Sequence, residues 1–138
     1  MVTEANGIPI GIVVAGANRN DFKLTRDTLE SIVVPRPAPT STHPQGMCLD
    51  KDYDKKEVRD LLKEFGFTAH IRARGEEAQE LKRKAGAKAR RWVVERAHSW
   101  LNRYRGILIR WSKKAENYLA LLHLALGIIA WRASGLPR

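Results

Sequence analysis

Three short apolar runs limit what this chain can become. Residues 8–15 (IPIGIVVA), 47–50 (MCLD) and 67–73 (FTAHIRA) are too brief for stable helices and read as strands, the first β-branched, the second apolar and ending on an acid, the third alternating. Helical patterns lie between and after them. Residues 21–33 place Leu24, Thr28, Leu29 and Ile32 on one face, with Asp21 as the expected N-cap. Residues 54–66 offer Asp54 as cap, Glu57 at the capping-box position and Gly66 as terminator. Two helical stretches follow, over 76–111 with a break near Gly86 and over 113–133.

The alternation of strand and helix predicts an α/β domain with a partly parallel sheet and C-terminal helices. The segment 35–46 holds four of the six prolines and reads as a surface linker inside that pattern. With 138 residues, one domain over 1–138 is expected. The apolar stretch 118–131 contains His123 and is 14 residues long, too short for a membrane span, so it predicts a buried core helix. The amino terminus shows no basic region leading into an apolar stretch and cleavage site, so no signal peptide is expected. The single cysteine, Cys48, excludes an internal disulfide and a cysteine-based zinc site, and within an apolar strand it reads as a buried thiol. His43, His70, His98 and His123 show no metal-ligand spacing.

Charge is distributed unevenly. The net charge is +10, and residues 71–114 alone hold 14 Lys and Arg against 4 Asp and Glu, while the rest of the chain balances to zero. A contiguous excess of this kind is the footprint of a polyanion-binding surface, although a solvated helix face produces the same count. Within it, ARRWVVERAHSWLNRYRG (89–106) sets one acid, Glu95, among Arg90, Arg91, Arg96, Arg103 and Arg105. On a helix, Val93, Ala97, Trp100, Tyr104, Ile107 and Trp111 form an apolar ridge, widened by Leu101 and Leu108. Arg91, Glu95, Ser99 and Asn102 lie on a polar stripe beside it, where Arg91 and Glu95 suit an ordinary ion pair. Tryptophans at 92, 100 and 111 are more often core than base-stacking platforms.

A second group of acids, Asp50, Asp52 and Asp54, superficially resembles a calcium loop. Lys55 stands where that loop needs Gly and Leu61 where it needs a bidentate Glu, so the calcium reading fails. Asp50 ends a short strand before a helix, the edge where open α/β sheets bind ligands. A turn aspartate is the ordinary alternative. Taken together, a carboxylate at a strand end, another on a basic helix and a localised positive field suit metal-assisted phosphoryl transfer on nucleic acid.

The stretches GIPIGIVVAGANRND (7–21), LDKDYD (49–54), HIRARGEE (70–77) and RRWVVERAHSWLNRYRGILIRWSKKAENYLALLHLA (90–125) resemble the DDE transposases of bacterial insertion sequences, in the later part of their catalytic domain. The resemblance implies a ribonuclease-H-like fold whose three acids bind two Mg²⁺ ions. It implies that Asp50 is the second acid and Glu95 the third, with Glu4 at the position of the first. A glutamate in place of the family's aspartate there moves the ligand atom by ~1.5 Å. The family's terminal signature is kept at Arg91 and Glu95, whereas Lys88 replaces its tyrosine and Asn102 its lysine, with Arg103 as a stand-in. Arg90, Arg91, Arg96, Arg103 and Arg105 become candidate phosphate contacts.

The resemblance further implies DNA as partner, both element ends and target, no membrane, and a cytoplasmic, nucleoid-associated protein. Only three residues precede Glu4. The first strand is therefore expected to be largely missing, and the chain to act as one part of a transposase, a homo-oligomer when complete, that meets an upstream-encoded amino-terminal half. Alone it is expected to fold poorly and to cut no DNA. The alternatives are a non-catalytic DNA-binding remnant and a structural helical protein with a basic face.

Overall fold

The computed structural model describes residues 1–71 and 92–135. The architecture is mixed α/β, but among the described residues the strands form two separate two-stranded sheets.

The first is an antiparallel hairpin of β1 (Val2–Thr3) and β2 (Pro9–Gly11), with Val2 opposite Gly11 and Thr3 opposite Pro9. The expected strand over 8–15 is thus cut to three residues. β-branched side chains favour a strand only where a partner backbone is present; β1 is two residues long, and Ile12 instead packs against the C-terminal helices. The β2 edge gains one more bond, from the Val33 N–H to the Ile10 carbonyl at 3.3 Å. A 3₁₀ turn (Asp21–Leu24) leads into α1 (Thr25–Glu30), shorter than expected, and Asp21 lies in the first turn while Asn20 takes the cap position.

The second sheet pairs β3 (Gln45–Leu49) with β4 (Phe67–Ile71) in parallel, Gln45 opposite Phe67 through Leu49 opposite Ile71. α2 (Lys56–Glu64) joins them, so residues 45–71 form one βαβ unit. Alternation decides the faces: Met47, Leu49, Phe67 and Ala69 pack against Leu29 of α1 and Val58 and Leu62 of α2. Cys48, one residue out of phase, points to the other face and is exposed, so the buried-thiol expectation is corrected by strand parity. Asp54 is likewise not a cap; its Oδ1 accepts from Arg59 Nε at 2.7 Å, and Lys55 takes the cap position without a side-chain bond. Gly66 does terminate α2, with φ +77° and its N–H on the Lys63 carbonyl at 2.9 Å.

The third layer is helical: α3 (Trp92–Leu101), α4 (Arg105–Leu108) and α5 (Ala115–Ala133). The expected break near Gly86 lies outside the described residues, as do Lys88, Arg90 and Arg91. A break that the pattern does not announce occurs after Leu101, where Asn102, Arg103 and Tyr104 close successive turns onto the His98, Trp100 and Leu101 carbonyls and Tyr104 turns extended. The first part of the predicted ridge holds, since Ala97 is fully buried and Leu101, Trp100, Tyr104 and Ile107 pack with Leu122, Ala125, Leu126 and Ile129 of α5. Its last part does not: Leu108 and Trp111 are 60% and 77% exposed, because the helix has ended and restarted out of register. α5 buries one stripe only, leaving Leu124 and Trp131 exposed, so the expected core helix is half a core helix. Among the described residues, no helix is long and apolar enough to cross a membrane.

Candidate functional site

Asp50 follows the last residue of β3 in extended conformation (φ −71°, ψ 162°). Its Oδ1 accepts from the Lys51 N–H at 2.6 Å and caps the 3₁₀ turn Lys51–Tyr53. Because β4 pairs in parallel through Ile71, the chain leaves the sheet at the same end, so Asp50 marks the carboxyl edge of a βαβ unit. The ring of Tyr53 packs against the apolar cluster under that edge. Burial pushes its phenol above the usual range, and Asp21, Asp50 and Asp52 push in the same direction. Asp21 also acts on the Met1 ammonium, whose pKa burial lowers. Asp54, by contrast, is ion-paired: the Arg59 hydrogen bond holds its carboxyl below the usual range, against the opposing effect of desolvation and with further help from Lys51.

Glu95 is exposed on α3. The Arg91–Glu95 pair cannot be placed, since Arg91 lies outside the described residues. Glu4 sits in the turn of the β1–β2 hairpin. Its Oε1 accepts from the Asn6 N–H at 2.7 Å and the Ile8 N–H at 3.0 Å, and its Oε2 accepts from Asn6 Nδ2 at 3.1 Å. These bonds fix the turn with the help of Gly7, whose φ is +84°.

The helix of Glu95 lies against the hairpin of Glu4. Arg96 reaches back so that its Nη1 donates to the Asn6 carbonyl at 3.4 Å, and its guanidinium stacks over Trp100 at 4.8 Å. The structure thus brings the elements of Glu4 and Glu95 together, with Asp50 on the edge of the neighbouring sheet. Among the described residues, no three His, Cys, Asp or Glu side chains converge as a metal-holding group. The carboxylates of Asp50 and Glu95 are hard oxygen donors on exposed residues, the chemistry a small divalent cation takes. Glu4 fits that role less well, since both its oxygens already accept hairpin donors. Of the basic residues, Arg103 and Arg105 are exposed, the second as the first residue of α4, and Arg110 stacks over Tyr118 at 5.7 Å.

Residues 47–132 match a family model described as the transposase DDE domain. That span takes in Asp50, Glu95 and the arginines around it, and leaves Glu4 outside. The chain is also similar to a Burkholderia cepacia protein assigned as a transposase for insertion sequence element IS402, with 32% identity over 133 residues. The alignment covers 95% of this chain and 61% of the relative, so the chain spans about three fifths of the curated relative it matches. No solved structure matches the chain. With the family match extending over more than half of its length, the chain belongs to the DDE transposases of insertion sequences.

Proposed function

We propose that this chain supplies two of the three acids, Asp50 and Glu95, of a metal-dependent DNA strand-cleavage and strand-transfer enzyme on a ribonuclease-H-like frame. The observation that carries this reading is the continuous family match through both acids, one at the carboxyl edge of a parallel strand pair and one on a helix. The reaction of the complete enzyme is hydrolytic nicking of an element end, followed by in-line attack of the freed 3′-hydroxyl on target DNA. Asp50 and Glu95 would hold Mg²⁺, two ions in the complete site. When bound, the metal supplies Lewis acidity at the scissile phosphate and a more acidic attacking water.

The chain's own part is positional. The capping bond of Asp50 to Lys51 limits the directions its carboxylate takes. Arg90, Arg91, Arg96, Arg103 and Arg105 would hold phosphates, with Arg103 and Arg105, exposed at the start of α4, the readiest of the described ones. Glu4 stands at the first acid's position and would have to release the hairpin donors before binding a metal. The working assembly in this reading is a homo-oligomer on element-end and target DNA in the cytoplasm, together with an amino-terminal half encoded upstream. The commitment of both Glu4 oxygens to the hairpin favours one other reading, a DNA-binding relative without catalysis.

Two measurements test the proposal. Mn²⁺ binding followed by electron paramagnetic resonance should weaken about tenfold or more in both Asp50→Asn and Glu95→Gln, and equal binding in all three proteins removes these acids as ligands. DNA affinity should fall steeply between about 50 and 200 mM salt; a flat dependence removes DNA as the partner.

A further inference from the structure

Trp111 belongs, by helical period, to the ridge that packs on α5, yet it is 77% exposed. The chain leaves α4 at Ile109 in extended conformation (φ −118°, ψ 110°), which turns Leu108, Ile109 and Trp111 outward at 60%, 51% and 77% exposure. Around them, residues 102–114 carry Arg103, Arg105, Arg110, Lys113 and Lys114 and no acid. Arg110 precedes Trp111 in the chain, its Nε donating to the Ser112 carbonyl at 3.3 Å while its guanidinium rests on Tyr118.

Two costs coincide here. Three large apolar side chains within four residues are left in water, a cost that a bound partner would remove. Five like charges are also crowded into thirteen residues, which is unfavourable until a polyanion neutralises them. A protein partner would relieve the first cost, but the cores of protein interfaces are poor in lysine and in uncompensated charge. A folded duplex would relieve the second while leaving the indole exposed. Nucleic acid with an unpaired base relieves both, because a base stacks on the indole whatever its identity while the phosphates meet the cations.

We propose that Trp111, with Leu108 and Ile109 beside it, is a stacking platform for an unpaired nucleobase in DNA, held in place by phosphate contacts from Arg103, Arg105, Lys113 and Lys114. The proposal rests on the reading of DNA as partner and adds to it a preference for frayed or single-stranded ends.

The test compares a blunt duplex with the same duplex bearing a short unpaired tail, each titrated with the full chain by fluorescence anisotropy. The tailed duplex should bind more tightly. Trp111→Ala should weaken tailed binding roughly 5- to 150-fold while changing blunt binding less than about twofold, and Trp111→Phe should retain most of the tail preference. The exposed position predicts that both variants fold, as unchanged far-ultraviolet circular dichroism would verify. An intact tail preference in Trp111→Ala, or an equal loss on both duplexes, overturns the platform while leaving DNA as partner. Absence of binding to either duplex overturns both. If Trp111→Ala instead dissociates an oligomer in light scattering with DNA binding unaltered, the patch is a protein contact and the proposal fails.

Discussion

Gly7 lies against the backbone of α3: a Cβ built on it would stand 2.9 Å from the Val93 carbonyl oxygen. Its φ of +84° is also one that side chains resist. Gly7→Ala therefore meets strain and a collision with backbone at once, and should cost about 2–4 kcal/mol. Urea melts would measure it. A loss below about 0.5 kcal/mol would mean that the hairpin and α3 are not packed as described.

Glu4 acts on the same turn through three accepted hydrogen bonds. Removing them in Glu4→Ala should cost about 1–2 kcal/mol, since two backbone donors lose a charged acceptor. Glu4→Gln keeps one acceptor oxygen and should recover part of that. Equal stability of all three proteins would show the carboxylate to be idle in the turn.

The same commitment bears on chemistry. With both Glu4 oxygens accepting donors of the hairpin, the chain by itself should leave supercoiled DNA intact in Mg²⁺. Nicking on an agarose gel that requires Mg²⁺ and disappears in Asp50→Asn would overturn this expectation.

Leu62 has no exposed surface and Leu124 has 62%. Leu62→Ala should cost about 2–5 kcal/mol by cavity formation, whereas Leu124→Ala should change stability by about 0.5 kcal/mol or less. Denaturant midpoints compare the two; similar losses would mean that α5 is covered in solution where it is bare here.

Acid should weaken the Asp54 contacts in a definite direction. The folded-state pKa of Asp54 is depressed, chiefly by the Arg59 hydrogen bond, so its contribution is present above the ordinary carboxylate range and is lost as pH falls through the depressed value. Glu64 behaves the same way through its bidentate pair with Arg26. Melting temperatures between about pH 6 and pH 2 should fall less in Asp54→Asn than in the unaltered chain. Parallel curves would show that Asp54 contributes nothing to the slope.

The sequence made the βαβ unit legible because its burial is periodic. Val58 and Leu62 fall one helical turn apart, Met47 and Leu49 alternate, and Gly66 is needed for a left-handed stop. What stayed hidden was set by distant partners. The local sign of a helix end at 102–104 is weak, a single Asn102 with neither proline nor glycine beside it, so the helical period runs on through Trp111, which leaves the ridge. Asp54 chose Arg59 over a helix N-terminus, a competition that spacing alone does not decide. The positions of Asp50 and Glu95 on a strand end and a helix were readable from pattern and resemblance, while the hydrogen bonds that occupy Glu4 depend on hairpin geometry.

The two acids are anchored with unequal range. Asp50 is placed by residues 45–71, a continuous stretch whose strands and helix are near neighbours in the chain and share an apolar cluster with Leu29 of α1. Glu95 is placed by a helix docked on a turn some ninety positions away, as the Arg96–Asn6 bond shows. A unit closed over a fully buried side chain such as Leu62 opens later than a seam bridged by an exposed hydrogen bond. When the protein loosens, amide exchange should therefore strip protection from the α3 seam while the Asp50 edge still holds its shape, so one half of the acid pair outlives the other.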